Sequence, residues 1–116
     1  NQETMVVPLV EDERAVNEIE DIFALDGIEV VFLGPFDLSI SMGPQGADYK
    51  HPKLAAILDR VVAAAKANNK HVMTTVGATI DHDYAASLVA KGVRLLSFSA
   101  DVAVFLTACR RIASLR

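Results

Sequence analysis

The sequence predicts an α/β protein built on a parallel sheet, and three observations carry that prediction. Apolar runs of strand length alternate with longer stretches of helical periodicity, the alternation occurs four times, and turn or cap residues separate the segments. Successive strand–helix–strand units of this kind require right-handed parallel pairing. Two architectures satisfy them: an open doubly wound sheet, or an arc of a (β/α)8 barrel. The length of 116 residues favours the open sheet when taken alone, because a whole barrel typically needs about 250 residues. A barrel is possible only if the chain is half of one.

MVVPLV, residues 5–10, reads as a short buried strand in which Pro8 is tolerated only at an edge, a bulge or a strand end. Helical spacing follows from near Asp12, with Ala15, Ile19, Ile22 and Phe23 on one face, Glu13, Arg14, Glu18 and Asp21 toward solvent, and Gly27 as the stop. EVVFL, 29–33, is a second strand whose consecutive large side chains imply burial on both faces. The stretch GPFDLSISMG is read as a small-residue loop, continuing as a polar loop to Lys50. Pro52 suits the first turn of a helix carrying Leu54, Ile57, Leu58, Val61, Val62 and Ala65, which Asn68-Asn69-Lys70 end. HVMTTV, 71–76, is the third strand; Asp81 is the expected N-cap of a helix through Tyr84, Leu88 and Val89, and Gly92 its C-terminal stop. VRLLSF makes the fourth strand. A last helix from about Asp101 is expected to turn Val104, Phe105, Ala108 and Ile112 inward, with Cys109 a buried, inert thiol among them. Residues 1–116 read as one continuous unit without linker or low-complexity segment.

Composition narrows the function classes. A hydrophobic content of 52% supplies a core. The net charge of −4, with basic residues scattered apart from Arg110-Arg111, provides no footprint for nucleic acid or an anionic membrane. No apolar run approaches the roughly 20 residues of a membrane span, and the N-terminal stretch has neither the basic region nor the apolar core of a signal peptide. One cysteine cannot form an internal disulfide, which fits a reducing, cytoplasmic setting. The first residue is not Met, which hints at a segment of something longer.

In either architecture ligands gather at the carboxyl ends of the strands. Those ends carry Glu11 and Asp12; Gly34, Pro35, Phe36 and Asp37; Gly77, Ala78 and Thr79; and Ser99, Ala100 and Asp101. Hard divalent cations such as Mg²⁺ or Mn²⁺ take a few carboxylate oxygens and keep positions open for water and substrate. Glu11 and Asp37, on neighbouring strands, are the natural pair. The plainer reading is that carboxylates at strand–helix junctions cap helices and suit the helix dipole; Asp12 and Asp101 are assigned to it. Asp37 differs in following Gly34, where the backbone can approach a ligand closely. His51, His71 and His82 have no metal-ligand spacing, and no nucleophile motif, GxGxxG or P-loop occurs.

VEDERAVNEIEDIFALDGIEVVFLGPFDLSISMG resembles the central signature of the HpcH/HpaI aldolase family, metal-dependent 2-oxo acid aldolases. Glu11, Ala15-Val16, Ile19, Ile22, Asp26-Gly27-Ile28 and Gly34 through Gly43 fall in step with it, and the Glu11 to Asp37 spacing matches. The resemblance implies a (β/α)8 TIM barrel of which this chain is the C-terminal half, four β/α units. It implies Glu11 and Asp37 as ligands of a divalent metal, Mg²⁺, Mn²⁺ or Co²⁺. It also implies Phe36 and Asp37 as the backbone facing a substrate carboxylate, and a carbon–carbon lyase acting on 4-hydroxy-2-oxo acids through a pyruvate enolate. The acid–base histidine and substrate arginine of the family belong to the other half of the barrel. No catalytic proton-transfer residue is therefore expected here, and the fragment alone should be inactive.

Three positions depart from the family pattern. Leu9 stands where a Gln is usual, Phe36 replaces a small residue, and Ser99 replaces a Gly at the end of the last strand. Substrate identity is the property these departures touch. The alternatives are a 2-oxo diacid decarboxylase of the macrophomate-synthase type, a citrate-lyase-β or malyl-CoA-lyase relative, and a non-catalytic half-barrel assembly module. The expected partners are the small-molecule 2-oxo acid, the N-terminal half-barrel and, by resemblance, further copies in a homo-oligomer.

Overall fold

The computed structural model describes residues 3–43, 51–77 and 81–115. Four strands, β1 (Leu9–Val10), β2 (Val30–Leu33), β3 (His71–Thr75) and β4 (Leu95–Ser97), pair in the order β1-β2-β3-β4, every pair parallel. Among the described residues six helices accompany them: α1 (Glu13–Asn17), α2 (Ile19–Ala24), α3 (Pro35–Ser41), α4 (Pro52–Ala67), α5 (His82–Lys91) and, after the last strand, α6 (Asp101–Ala113). Sequential, all-parallel order is what a barrel arc requires, since a doubly wound sheet reverses direction at a switch point.

Side-chain alternation gives the sheet two unequal faces. Val31, Leu33, Val72 and the Thr74 side chain are buried beneath the helices with Ile19, Phe23, Leu38, Val61 and Leu88. Phe32, Met73 and Thr75 point the other way and stay half-buried, and Leu9 is exposed. The expected burial of both faces of β2 is met fully on the helix side and in part on the other, where Val30 is buried and Phe32 half-buried. Thr74 satisfies its hydroxyl by donating to the Leu33 carbonyl at 2.9 Å, across the β2–β3 seam.

Several local expectations hold for identifiable reasons. Pro52 begins α4, His51 caps it with Nδ1 accepting the Lys53 amide, and Asn68 closes it. Asp81 caps α5 by accepting the Tyr84 amide at 2.9 Å, and Gly92 ends that helix at φ 117°, a left-handed conformation that suits glycine. Others are corrected. β1 is two residues long, with an isolated bridge between Val6 and Ile28 upstream, because Pro8 accepts from the Phe32 amide but has no N–H to donate in return. The helix from Asp12 divides at Glu18 into α1 and α2, although Ile22 still donates to the Glu18 carbonyl and the buried side of the helix continues through. Residues 35–41, read as loop, form α3, begun by Pro35 at its first position. The rest of that expected loop, 44–50, lies outside the described residues.

The largest correction concerns α6. It carries no buried residue: Val102, Val104, Phe105, Leu106 and Ile112 are all exposed, Phe105 and Ile112 by 68% each. Cys109 is exposed as well, not buried. Helical period reveals an apolar stripe but not the body that covers it. Among the described residues no helix is long and apolar enough to cross a membrane.

Candidate metal and substrate cleft

The carboxyl ends of all four strands open onto one cleft of about 380 Å³. Glu11, immediately after β1, lines it together with Leu9; Gly34, Pro35, Phe36 and Asp37 contribute from the end of β2, Thr75 and Gly77 from β3, and Ser97, Ser99 and Ala100 from β4. The two carboxylates singled out in the sequence are therefore brought to the same opening. A second cavity, of about 130 Å³, lies among Leu33, Leu38, Leu54, Leu58 and Leu88, and no carboxylate of the described residues lines it.

Each acidic side chain at these strand ends has a distinguishable position. Asp12 is a cap: its Oδ1 accepts the Ala15 amide at 2.8 Å. Asp101 sits in the first turn of α6 and accepts the Val102 amide at 2.7 Å, while Ala100 takes the N-cap position that had been expected of the acid. Asp37 lies in the first turn of α3, whose cap, Gly34, supplies no side-chain bond. That placement leaves the carboxylate exposed at the mouth of the cleft. Glu11 is half-buried beside Gly34, and its Oε2 would lie 3.5 Å from a Cβ built on that glycine. The absent side chain leaves a hollow on that side of the Glu11 carboxylate.

The donor set fits a hard divalent cation. Two carboxylates from neighbouring strands would supply charged oxygen ligands, and among the described residues no cluster of three or more His, Cys, Asp or Glu side chains is found. Positions would remain for water and for a chelating substrate. The histidines stay outside: His51 caps α4, His71 opens β3 at the opposite end of the strand, and His82 begins α5.

Sequence reading had passed over Phe32, Thr75, Ser97 and Ala103, which also line the cleft. Strand alternation holds the signal for Phe32 and Thr75, since each follows or precedes a residue buried on the helix side, Leu33 and Thr74. Thr75 ties two strand ends together, its hydroxyl donating to the Ser97 carbonyl at 3.3 Å and accepting from the Gly77 amide at 3.2 Å. Ser99 has φ 60°, a left-handed conformation that glycine adopts more readily. Ala78 and Thr79, named after β3, lie outside the described residues.

A sequential arc of parallel strands with a two-carboxylate cleft at its carboxyl ends is the architecture of half of a (β/α)8 barrel. Comparison with known proteins assigns the family: the profile of the HpcH/HpaI aldolase/citrate lyase family matches residues 1–108, and the chain belongs to that family of enzymes. It is 32% identical to a hydroxypyruvate/pyruvate aldolase of Paraburkholderia phytofirmans, over 96% of this chain and 41% of that protein. It is 27% identical to a 5-keto-4-deoxy-D-glucarate aldolase of Escherichia fergusonii, over 97% of this chain and 43% of that protein. A crystal structure of a family member from Burkholderia cenocepacia superposes with a TM-score of 0.87 at 34% identity, covering 97% of this chain and 42% of that one. The chain thus spans about two fifths of the length of the relatives it matches.

Proposed function

We propose that residues 1–116 are the C-terminal half of a single barrel domain and carry the metal-binding side of the active site of a divalent-metal-dependent carbon–carbon lyase. The substrate class is a 2-oxo acid, cleaved or formed at the bond between its pyruvate portion and an aldehyde. The observation that carries this reading is the meeting of Glu11 and Asp37 at one cleft, with the space beside Glu11 kept open by Gly34. The names of the relatives, aldolases of hydroxypyruvate/pyruvate and of a keto-deoxy sugar acid, support the substrate class.

In this reading Glu11 and Asp37 hold the cation, Mg²⁺, Mn²⁺ or Co²⁺. When bound it supplies Lewis-acid stabilisation of the negative charge that develops on the substrate's keto oxygen. The first-turn backbone at Phe36 and Asp37 faces the substrate carboxylate, at a helix start whose dipole favours negative charge. Leu9 and Phe36 form an apolar wall of the same cleft and limit the water that reaches it. The proton-transfer group is assigned to the remaining four β/α units of the barrel. The exposed stripe of α6 and the half-buried second face of the sheet support the existence of further covering structure.

Metal titration tests the assignment. Glu11→Gln and Asp37→Asn should each weaken Mn²⁺ binding to the complete polypeptide that carries this chain; unchanged affinity in both would remove the metal site from these residues. Cleavage of a 4-hydroxy-2-oxo acid by residues 1–116 alone would place the proton-transfer group inside the chain and contradict its assignment elsewhere.

A further inference from the structure

Gly34 has φ −92° and ψ 92°. That conformation lies at the edge of the β region open to L-residues, and its negative φ does not call for glycine. Its backbone does not demand glycine; the space around it does. A Cβ at this position would lie 3.2 Å from Glu11 Cβ, 3.2 Å from Leu9 Cδ1 and 3.5 Å from Glu11 Oε2, whereas relaxed carbon–carbon contacts sit at about 3.5–4.0 Å.

The two tight contacts differ in stiffness. Leu9 Cδ1 is the far end of a side chain 51% exposed, and it can rotate away. Glu11 Cβ cannot, because its position is set by the backbone and no rotamer change moves it. The backbone just before it is tied to Gly34 itself, whose amide donates to the Val10 carbonyl at 2.9 Å. A methyl group at residue 34 would push on the base of the Glu11 side chain with no soft route of relief, and the carboxylate would move with it.

We infer that Gly34 is a positioning residue for Glu11: its missing side chain sets where the carboxylate stands at the end of β1. This inference rests on the metal reading of Glu11. It also separates two roles that a glycine at a strand end can play, since the tight neighbours are residues of the chain's own wall, and close approach of a ligand is a different demand. Metal–ligand distances keep to within about 0.2 Å of their standard values, so a few tenths of an ångström of movement at Glu11 Cβ must be taken up by side-chain torsions that leave their preferred wells.

The test uses the complete polypeptide and Mn²⁺ as probe, with binding followed by loss of the free-ion electron paramagnetic resonance signal. The thermal midpoint of the metal-free protein is measured in parallel. Gly34→Ala should weaken Mn²⁺ binding on the order of 10- to 100-fold, the range typical of losing a residue that orients a ligand, with a metal-free midpoint close to wild type. Glu11→Gln is the reference. If Glu11→Gln leaves Mn²⁺ affinity intact, the metal reading itself fails; if Glu11→Gln weakens binding while Gly34→Ala binds as wild type, that reading stands and the positioning role of Gly34 is overturned. Should Gly34→Ala lower the metal-free midpoint substantially, the result is taken from Leu9→Ala combined with Gly34→Ala. There the flexible contact is gone and the Glu11 contact persists: weak binding supports the inference and wild-type binding overturns it.

Discussion

The amide of Gly34 donates to the carbonyl of Val10 at 2.9 Å, and this bond couples the two strand ends that bear the acidic pair. Glu11 is the next residue after Val10, and Asp37 lies in the helical turn that Gly34 caps. The two carboxylates are therefore set by one parallel seam together with the first turn of α3.

Removing a ligand should cost more than removing a residue that orients one, which typically weakens binding about 10- to 100-fold. Asp37→Asn is expected to reduce Mn²⁺ affinity by at least about 100-fold, with the circular dichroism spectrum and melting midpoint unchanged, because Asp37 is exposed. Isothermal titration of the complete polypeptide would measure it.

Thr74 is the buried polar side chain of the core, and its hydroxyl donates to the Leu33 carbonyl. Thr74→Val keeps the shape and removes the donor, leaving that carbonyl with one bond fewer. A loss of about 1 kcal/mol is expected by urea denaturation. A stabilised variant would show the hydrogen bond to be dispensable.

Phe23 on α2 is fully buried in the core, with Ile19 beside it on the same helix. Truncation to alanine removes the transfer energy of the ring and leaves a cavity, so Phe23→Ala should cost about 3–5 kcal/mol. Denaturant midpoints at constant m-value would report it.

Arg60 on α4 reaches α2, where Nε donates to Glu20 Oε1 at 3.0 Å and Nη2 to Oε2 at 2.7 Å. These hydrogen bonds hold the Glu20 carboxyl below its ordinary value of 4.5. A carboxyl depressed in the folded state contributes stability above its unfolded pKa and loses it as pH falls through the folded one. The midpoint difference between wild type and Arg60→Ala should therefore be constant near neutrality and shrink below about pH 4.5. It should also be modest and salt-sensitive, since the pair is exposed. A difference that persists undiminished to about pH 2.5 would show that Glu20 is not its source.

Much of the fold was legible in local signals. Pro52, Asp81 and Gly92 mark helix boundaries through effects confined to a turn, and each stands where its chemistry placed it. α3 was not legible, because its seven residues include two serines and a short apolar pattern that fits a packed loop equally well. Phe105, Cys109 and Ile112 of α6 illustrate another limit. Their spacing specifies a stripe, yet which surface meets that stripe is a non-local fact, and none of the described residues buries it.

The sequence by itself determined the four-fold β/α alternation, the parallel sense of the sheet, the family signature and the shortlist of acids at strand ends. It also paired Glu11 with Asp37 and left Asp12 as a cap; only the tertiary structure decided how those side chains are placed in space. Glu11 and Asp12 are adjacent in sequence and chemically alike, but strand pairing through Val10 and Gly34 directs the first to the cleft while the second turns to cap α1. The reason is range: periodicity and capping act over a few residues, whereas the cleft depends on which strands pair and in what register.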